Sequence, residues 1–295
     1  MRDHFGVPPD LDELQSDALE KRDRRRKCSP WFMHSENVLG SRHDDLQERN
    51  FTLEKRTMTE PEGNMVAFFN MELTDPTNPI IWDVRTRDGM EDANTADFTE
   101  YGDTAVSYGT RGLCGCTVLA IFSEKGLYVA HYWENIVFSP NEEYLEKYQT
   151  ADRVFQRLVI NGLEKGVGRG AGTTQVSLRN QAARLDDKSI QALLMIPRTT
   201  WDDVDDGYRN RWNQIKSKVG EYLPRLAPAL DAQGQETNPK WKEYRYDAVD
   251  GLNEDVHRLT PTGKILIKYD PEDHGKKRLA IWIEGNVEPF INWTW

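Results

Sequence analysis

Cysteine is scarce in this sequence, and that scarcity excludes two kinds of scaffold. The 295 residues include three cysteines, Cys28, Cys114 and Cys116, and six histidines. A disulfide-stapled fold requires more cysteines, and a structural zinc site requires a cluster of Cys and His ligands that the sequence does not contain. We therefore expect no metal, and no motif points to an organic cofactor.

Long apolar runs and an excess of basic residues are also missing. The net charge is -11 and the pI is about 5.1, whereas nucleic acids and anionic membranes attract clustered Lys and Arg. No apolar run is long enough to cross a bilayer, and the N-terminal residues 1–6 lack the apolar core of a signal peptide. We expect no nucleic-acid partner and no membrane span.

Residues 1–60 are rich in charge and poor in apolar side chains, with the basic run Lys21–Lys27 at their centre. Such a segment cannot bury enough apolar surface to offset its ordering entropy. We predict a disordered arm or pro-segment over residues 1–60 and a single catalytic-type domain over residues 61–295.

Two short patterns favour secretion. Dibasic pairs that resemble processing sites end at Arg22 and Arg56, and glycosylation sequons begin at Asn50 and Asn292. We expect a secreted protein, with a cytoplasmic location as the alternative.

Apolar periodicity predicts an α+β fold, with a central mixed or antiparallel β-sandwich or sheet flanked by helices. Strands are expected at residues 65–69, 79–84, 104–108, 118–122, 127–133 and 190–196. Helices are expected at residues 141–148, 154–159 and 208–222.

Three further expectations concern caps, turns and glycines. Asp205 or Asp206 should cap the last helix. A second hairpin is expected at residues 264–269 and 277–283, with His274 solvated in a long turn. The glycine-rich residues 166–172 follow a helix rather than a strand, so we interpret them as a flexible connector rather than a phosphate-binding loop.

One cysteine and one histidine fall on a predicted β-hairpin. A two-residue turn at Glu124-Lys125 would pair Val118 with His131 and place Cys116 diagonally from the imidazole on one face. A three-residue turn would send the Cys116 and His131 side chains to opposite faces, unless Cys116 lies before the regular strand. Both registers are compatible with the sequence.

Glycines beside the cysteine suit an exposed nucleophile. Gly112 and Gly115 permit a sharp backbone turn, and nearby N–H groups could form an oxyanion hole. The alternative is a small buried cysteine in a strand beside a half-exposed histidine, as most isolated Cys and His residues are. Spacing alone leaves both interpretations open.

The segment Leu113-Cys114-Gly115-Cys116 resembles the Leu-Ser-Gly-Cys motif of bacterial toxin deamidases related to cytotoxic necrotizing factor and Burkholderia lethal factor. Their fold is shared with the chemotaxis deamidase CheD. In these proteins the motif cysteine is the nucleophile, a histidine follows on a neighbouring strand, and several have a threonine before the cysteine. Here His131 lies fifteen residues after Cys116 and Thr110 lies six before it.

The resemblance covers about residues 110–133, and Cys114 departs from it by replacing serine. The same hairpin segment is similar to uncharacterised proteins of filamentous fungi. The resemblance implies a cysteine–histidine amidohydrolase that deamidates a protein glutamine through a thioester. It assigns the nucleophile to Cys116, the acid and base roles to His131, and the orientation of the imidazole or the amide to Thr110.

Aromatic residues beside the histidine are candidates for the pocket wall, namely Tyr128, Tyr132 and Trp133. The same Cys–His pair could also support transglutamination or proteolysis, because those reactions share the thioester step. From a different class, a secreted binding protein could keep the fold without activity and use exposed aromatic side chains for recognition.

Overall fold

Two β-sheets packed face to face form the centre of the protein in the computed structural model. The structure describes residues 58–74, 94–110, 113–169, 172–198, 208–232, 236–248 and 253–295. Most of the predicted arm, the strand predicted at 79–84, and the caps Asp205 and Asp206 lie outside the described residues. The division into an arm and one domain therefore stays a prediction.

Seven α-helices occur in the described residues: α1 (Met65–Thr74), α2 (Glu142–Tyr148), α3 (Ala151–Phe155), α4 (Asn161–Lys165), α5 (Leu178–Leu185), α6 (Arg209–Tyr222) and α7 (Glu254–Leu259). Shorter helical segments are two π-helices, Glu134–Phe138 and Gln156–Ile160, and a 3-10 turn, Pro224–Leu226. The second π-helix joins α3 directly to α4.

The strands are β1 (Thr95–Glu100), β2 (Val106–Thr110), β3 (Thr117–Phe122), β4 (Gly126–Tyr132), β5 (Val167–Arg169), β6 (Gly172–Gln175), β7 (Gln191–Arg198), β8 (Trp241–Asp247), β9 (Ile265–Asp273), β10 (Lys276–Ile283) and β11 (Ile291–Thr294). One mixed sheet has the order β5-β6-β1-β4-β3-β7-β8, and an antiparallel sheet has the order β11-β10-β9-β2. The predicted α+β class is confirmed.

Contacts between the sheets define which faces are internal. The Tyr108 hydroxyl of β2 donates to the Asp97 carboxylate of β1 at 3.2 Å, and the Phe122 ring of β3 lies 5.0 Å from the Trp293 ring of β11. On the opposite face of the seven-stranded sheet, Trp212 of α6 donates to Thr117 at 3.0 Å. Helices therefore cover one face of this sheet and the four-stranded sheet covers the other.

The β3–β4 hairpin has the register predicted for a two-residue turn. Val118 pairs with His131 and Phe122 with Leu127, and the Ser123 N–H donates to the Gly126 carbonyl at 3.0 Å. All residues of both strands are buried, because β3 and β4 lie inside the sheet with covered faces on both sides.

The strand predicted at residues 65–69 is wrong, since these residues begin α1. Asn64 accepts a hydrogen bond from the Ala67 N–H at 3.0 Å, as an N-cap does. Phe68 and Leu73 pack on the outer face of the four-stranded sheet, against Trp282 and Gly109 respectively. Local β propensity is overridden by the cap and by this packing.

The flexible connector predicted at residues 166–172 is also wrong where the structure describes it. Residues Val167–Arg169 and Gly172–Gln175 form the antiparallel strands β5 and β6. Gly166 has φ +71°, and a Cβ there would lie 2.6 Å from the Gln175 carbonyl oxygen. The glycine therefore permits a close approach of two chain segments.

The remaining C-terminal predictions are mostly confirmed. Helix α6 buries Trp212, Ile215 and Val219 and ends before Pro224. The hairpin of β9 and β10 forms, but its turn is shorter than predicted, with His274 and Gly275 at positive φ. His274 is solvated, as expected, with 81% of its side chain exposed.

Candidate functional site

The β3–β4 hairpin carries His131 into the space between the two sheets. Val118 faces the four-stranded sheet together with Ala120 and Phe122, because side chains two residues apart share a face. His131 pairs with Val118 and shares that face. Cys116 directly precedes β3, and the same alternation, if it continues through this residue, would make the thiol a diagonal neighbour of His131.

Thr110 reaches the same layer from the opposite sheet. It lies two residues after Tyr108 on β2, and Tyr108 hydrogen-bonds to Asp97 of the seven-stranded sheet. By alternation the Thr110 side chain also points toward that sheet. Its hydroxyl is buried and has no hydrogen-bond partner among the described residues, and the same holds for both nitrogens of His131. The predicted contact between them is therefore not a hydrogen bond in this structure.

The imidazole of His131 is held in an apolar environment. It is 2% exposed, and its ring centroid lies 4.5 Å from that of Trp133. Burial lowers the pKa of His131 to about 3, because the cationic form would lose its hydration without gaining an acceptor. The side chain is thus a neutral imidazole near pH 7.

The loop before Cys116 is fixed by two buried side chains. Gly115 has φ +150°, and a Cβ added there would lie 1.8 Å from Oε2 of Glu134. Glu134 in turn accepts a hydrogen bond from the Tyr208 hydroxyl at 3.0 Å. Only glycine leaves room for this carboxylate, which explains the residue between the two cysteines.

The hydroxyl of Tyr246 joins the two ends of this loop. It accepts a hydrogen bond from the Gly115 N–H at 3.0 Å and donates one to the Cys116 carbonyl at 2.7 Å. The Gly115 N–H, predicted as an oxyanion donor, is therefore already engaged here. Gly112 lies outside the described residues.

Two of the three predicted pocket residues do not face the histidine. Tyr128 and Tyr132 alternate with His131 along β4 and point to the helix-covered face, where the Tyr128 hydroxyl donates to the Val176 carbonyl at 3.0 Å. Trp133 does contact the imidazole. Its backbone N–H donates to Oδ1 of Asn94 at 3.0 Å.

The sequence offered no signal for several residues of the site. Tyr208 is the N-cap residue of α6 and Tyr246 lies on β8, and Tyr246 is separated from Gly115 by 131 positions. Glu134 directly follows the predicted strand, so it could have been noticed as an acidic residue near the histidine. Its contact with Gly115 depends on the chain turning into a π-helix at residue 134.

The two cysteines of the motif are in different chemical states. Cys114 is disulfide-bonded, whereas Cys116 carries a buried thiol. The remaining cysteine, Cys28, lies outside the described residues. Cys116 is therefore the motif residue that can act as a nucleophile.

The described part of the chain has no group of three His, Cys, Asp or Glu side chains arranged to hold a metal ion. No helix in the described ranges is both long and apolar enough to span a bilayer.

Comparison with known proteins gives a weak structural likeness. No protein-family model matches the chain, and no curated protein matches it. Among solved structures, the chain is similar to the C-terminal domain of CNFy from Yersinia pseudotuberculosis, with a TM-score of 0.23 and 13% sequence identity. The alignment covers 65% of this chain and 53% of the other, so the chain spans about half the length of that structure.

Proposed function

We propose that the protein is a cysteine–histidine amidohydrolase that converts a glutamine side chain of another protein to glutamate. The observation that carries this proposal is the register of β3 and β4, in which Val118 pairs with His131. If the alternation of β3 continues through Cys116, which directly precedes the strand, the thiol would be a diagonal neighbour of His131 on one face. A thiol that can transfer its proton to an imidazole is the minimum requirement for this chemistry.

The reaction would proceed in two steps, formation of a thioester and its hydrolysis. His131 takes the proton of Cys116, and the thiolate attacks the carboxamide carbon to form a tetrahedral intermediate. The C–N bond then breaks as the imidazolium gives its proton to the leaving ammonia, which leaves a thioester. Water, activated by the neutral imidazole, hydrolyses the thioester to a carboxylate and restores the thiol.

The apolar environment of His131 implies that the Cys116–His131 pair is activated when substrate binds or when the two sheets move apart. A neutral imidazole is the form that accepts a proton, but desolvation keeps its pKa at about 3 in the closed structure. A thiolate–imidazolium pair is therefore disfavoured until a polar group enters the layer between the sheets. The unpartnered hydroxyl of Thr110 could then orient the imidazole or the substrate amide.

An oxyanion donor must come from the residues around the cysteine loop. The Gly115 N–H can serve only if Tyr246 releases it, since the two are hydrogen-bonded. The amide nitrogen of Asn94 is a second donor that supports the proposal, because it is buried and has no acceptor among the described residues. Asn94 lies beside Trp133, which contacts His131.

The alternative of an aromatic binding platform has little support in the described residues. Among the aromatic side chains described there, Phe290 is exposed, and the others are buried or half-buried. Recognition through an aromatic surface needs several exposed rings on one face. Transglutamination and proteolysis remain variants of the proposed reaction, since an amine or a peptide bond could enter the same thioester chemistry.

The test is an assay of the full chain on a panel of glutamine-containing proteins, with ammonia release and conversion of Gln to Glu as readouts. Trapping with hydroxylamine would report the thioester. Cys116→Ser and His131→Gln should each abolish turnover while the melting temperature stays within a few degrees, and His274→Gln is the matched control on an exposed histidine. Activity that survives Cys116→Ser would contradict the proposal.

A further inference from the structure

A second concave site lies away from the cysteine and is built from four elements within residues 147–168. Its volume is about 350 Å³. The end of α2, the π-helix Gln156–Ile160, α4 and the start of β5 form its walls. The side chains that matter for the argument are Lys147, Tyr148, Arg157, Leu158, Asn161 and Lys165.

The wall of this cavity is cationic in a chain that is strongly acidic overall. Three basic side chains, Lys147, Arg157 and Lys165, line it, and the described residues around it include no Asp or Glu. Arg157 and Lys165 have no ion-pair partner in the described part of the chain. Three like charges around one cavity repel one another, so an anion bound between them would be stabilised.

The acidic residue next to Lys165 does not neutralise that side chain. Glu164 precedes Lys165 directly, but its carboxylate pairs with Arg179 at 3.5 Å and with Lys218 at 3.6 Å. It is turned toward α5 and α6. Glu164 therefore does not offset the charges of Arg157 and Lys165 within the described part of the chain.

Helix ends explain only part of this arrangement. Lys147 and Lys165 lie in the last turns of α2 and α4, where basic residues interact favourably with the helix dipole. Arg157 lies within the continuous helical stretch that runs from α3 through α4, several residues before its end. A helix dipole gives no reason for a cation at that position.

The cavity also has surfaces suited to an organic group. Leu158 is buried and forms an apolar part of the wall, while the half-buried Tyr148 ring lies 5.1 Å from the Lys147 ammonium. Asn161 adds a neutral hydrogen-bonding side chain. The volume lies at the lower end of the range for small-molecule sites, about 300 to 1,000 Å³.

We propose that this cavity binds a small organic phosphate. A guanidinium and two ammonium groups fit a phosphate or diphosphate, because Arg donates a planar fork of N–H groups and Lys acts as a point charge. The organic part of the ligand would lie against Tyr148 and Leu158. This inference does not depend on the proposed deamidase chemistry.

The experiment is calorimetric titration of the full chain with inorganic pyrophosphate and, separately, with AMP, at physiological ionic strength. The double variant Arg157→Gln, Lys165→Gln should weaken binding of both by about tenfold or more. Lys276→Gln, Lys277→Gln is the matched control, since it removes the same charge from the exposed start of β10. It should change neither affinity by more than about twofold.

A third variant separates the two parts of the ligand. Tyr148→Ala should weaken the binding of AMP while leaving the affinity for pyrophosphate unchanged, because the ring would contact only the organic group. Absence of saturable binding by either compound would overturn the proposal. So would an equal loss in both double variants, because binding would then follow net charge rather than this cavity.

Discussion

His131 carries a stability cost that depends on pH. Its pKa falls from the ordinary 6.5 to about 3 because burial disfavours the cation. Between these values the unfolded chain binds a proton that the folded chain does not. The free energy of unfolding should therefore decrease as pH falls through this window, by about 1.4 kcal/mol per pH unit at most from this group.

The measurement is urea unfolding at several pH values between 7 and 4. His131→Leu keeps a side chain of similar size and cannot titrate, so its stability should depend less steeply on pH than that of the wild type. His274→Leu removes an exposed histidine and should retain the wild-type slope. Parallel curves for wild type and His131→Leu would contradict the assignment of a neutral buried imidazole.

Gly115 is a residue at which a single added methyl group should disturb the cysteine loop. Alanine there would meet the Glu134 carboxylate at 1.8 Å and would have to adopt φ +150°. We expect a loss of about 1 to 3 kcal/mol in the free energy of unfolding, and a displaced Cys116 whose alkylation rate no longer responds to His131→Gln.

The matched control is Gly102→Ala, because a Cβ at residue 102 has no neighbour within 4 Å. Unfolding monitored by fluorescence and iodoacetamide labelling read by mass spectrometry would compare the two variants. Equal stability of Gly115→Ala and Gly102→Ala would show that Glu134 does not constrain the loop.

Helix α6 is attached to the sheet by a buried ammonium group. Lys216 is fully buried, with its Nζ 2.6 Å from Oε1 of Glu243 on β8 and 3.5 Å from Oε2 of Glu236. Burial alone would raise the pKa of Glu243, but Lys216 and Arg209 outweigh it and lower that pKa below its ordinary 4.5. The ion pair between Lys216 and Glu243 thus stabilises the fold at pH values where the Glu243 carboxylate is ionised.

Lys216→Met should cost about 1 to 3 kcal/mol in unfolding free energy near pH 7, because Glu243 loses one of its two cationic partners and keeps Arg209 at 2.8 Å. Lys218→Met on the same helix removes a more exposed ion pair with Glu221 and should cost about 1 kcal/mol or less. The Lys216→Met deficit should shrink as pH falls and Glu243 becomes protonated. A deficit independent of pH would assign the loss to packing instead.

Elements that depend on short-range patterns were predictable, and those that depend on distant partners were not. The β3–β4 hairpin follows from a two-residue turn between two apolar runs, all within residues 117–132. Strand β1 contains few apolar residues, yet it pairs along its whole length with β4. The strand conformation of β1 comes from its pairing with β4, a contact between distant parts of the chain that the local sequence of β1 does not indicate.

The same distinction between local and distant residues applies to the candidate site. The two-residue turn predicted the register in which Val118 pairs with His131, and alternation along β4 could also have shown that Tyr132 faces away from His131. The residues that hold the cysteine loop, Tyr208 and Tyr246, lie far away in sequence. No local pattern connects them to Gly115.

The closed packing of the two sheets should control access to the thiol. Cys116 is fully buried, so a reagent can reach it only when the sheets or their surroundings open. We expect iodoacetamide to label Cys116 far more slowly in the native protein than in the unfolded chain at the same pH. The rate should rise with urea at concentrations below the unfolding transition.

Peptide mass spectrometry identifies the labelled residue, and the unfolded chain gives the reference rate for an accessible thiol. Labelling of native Cys116 at that reference rate, with no response to urea, would contradict a closed site. Slow labelling that accelerates on addition of a protein substrate would connect opening to function.

Strand β4, which carries His131, is the fourth of the seven strands in its sheet and has partners along both edges. Backbone amides in such a position exchange with deuterium mainly through global unfolding. The backbone of His131 would then keep its place between β1 and β3 until the whole sheet unfolds. Heat inactivation and loss of the fold should consequently follow one curve, and no partly melted form of the protein would be expected to retain an assembled site.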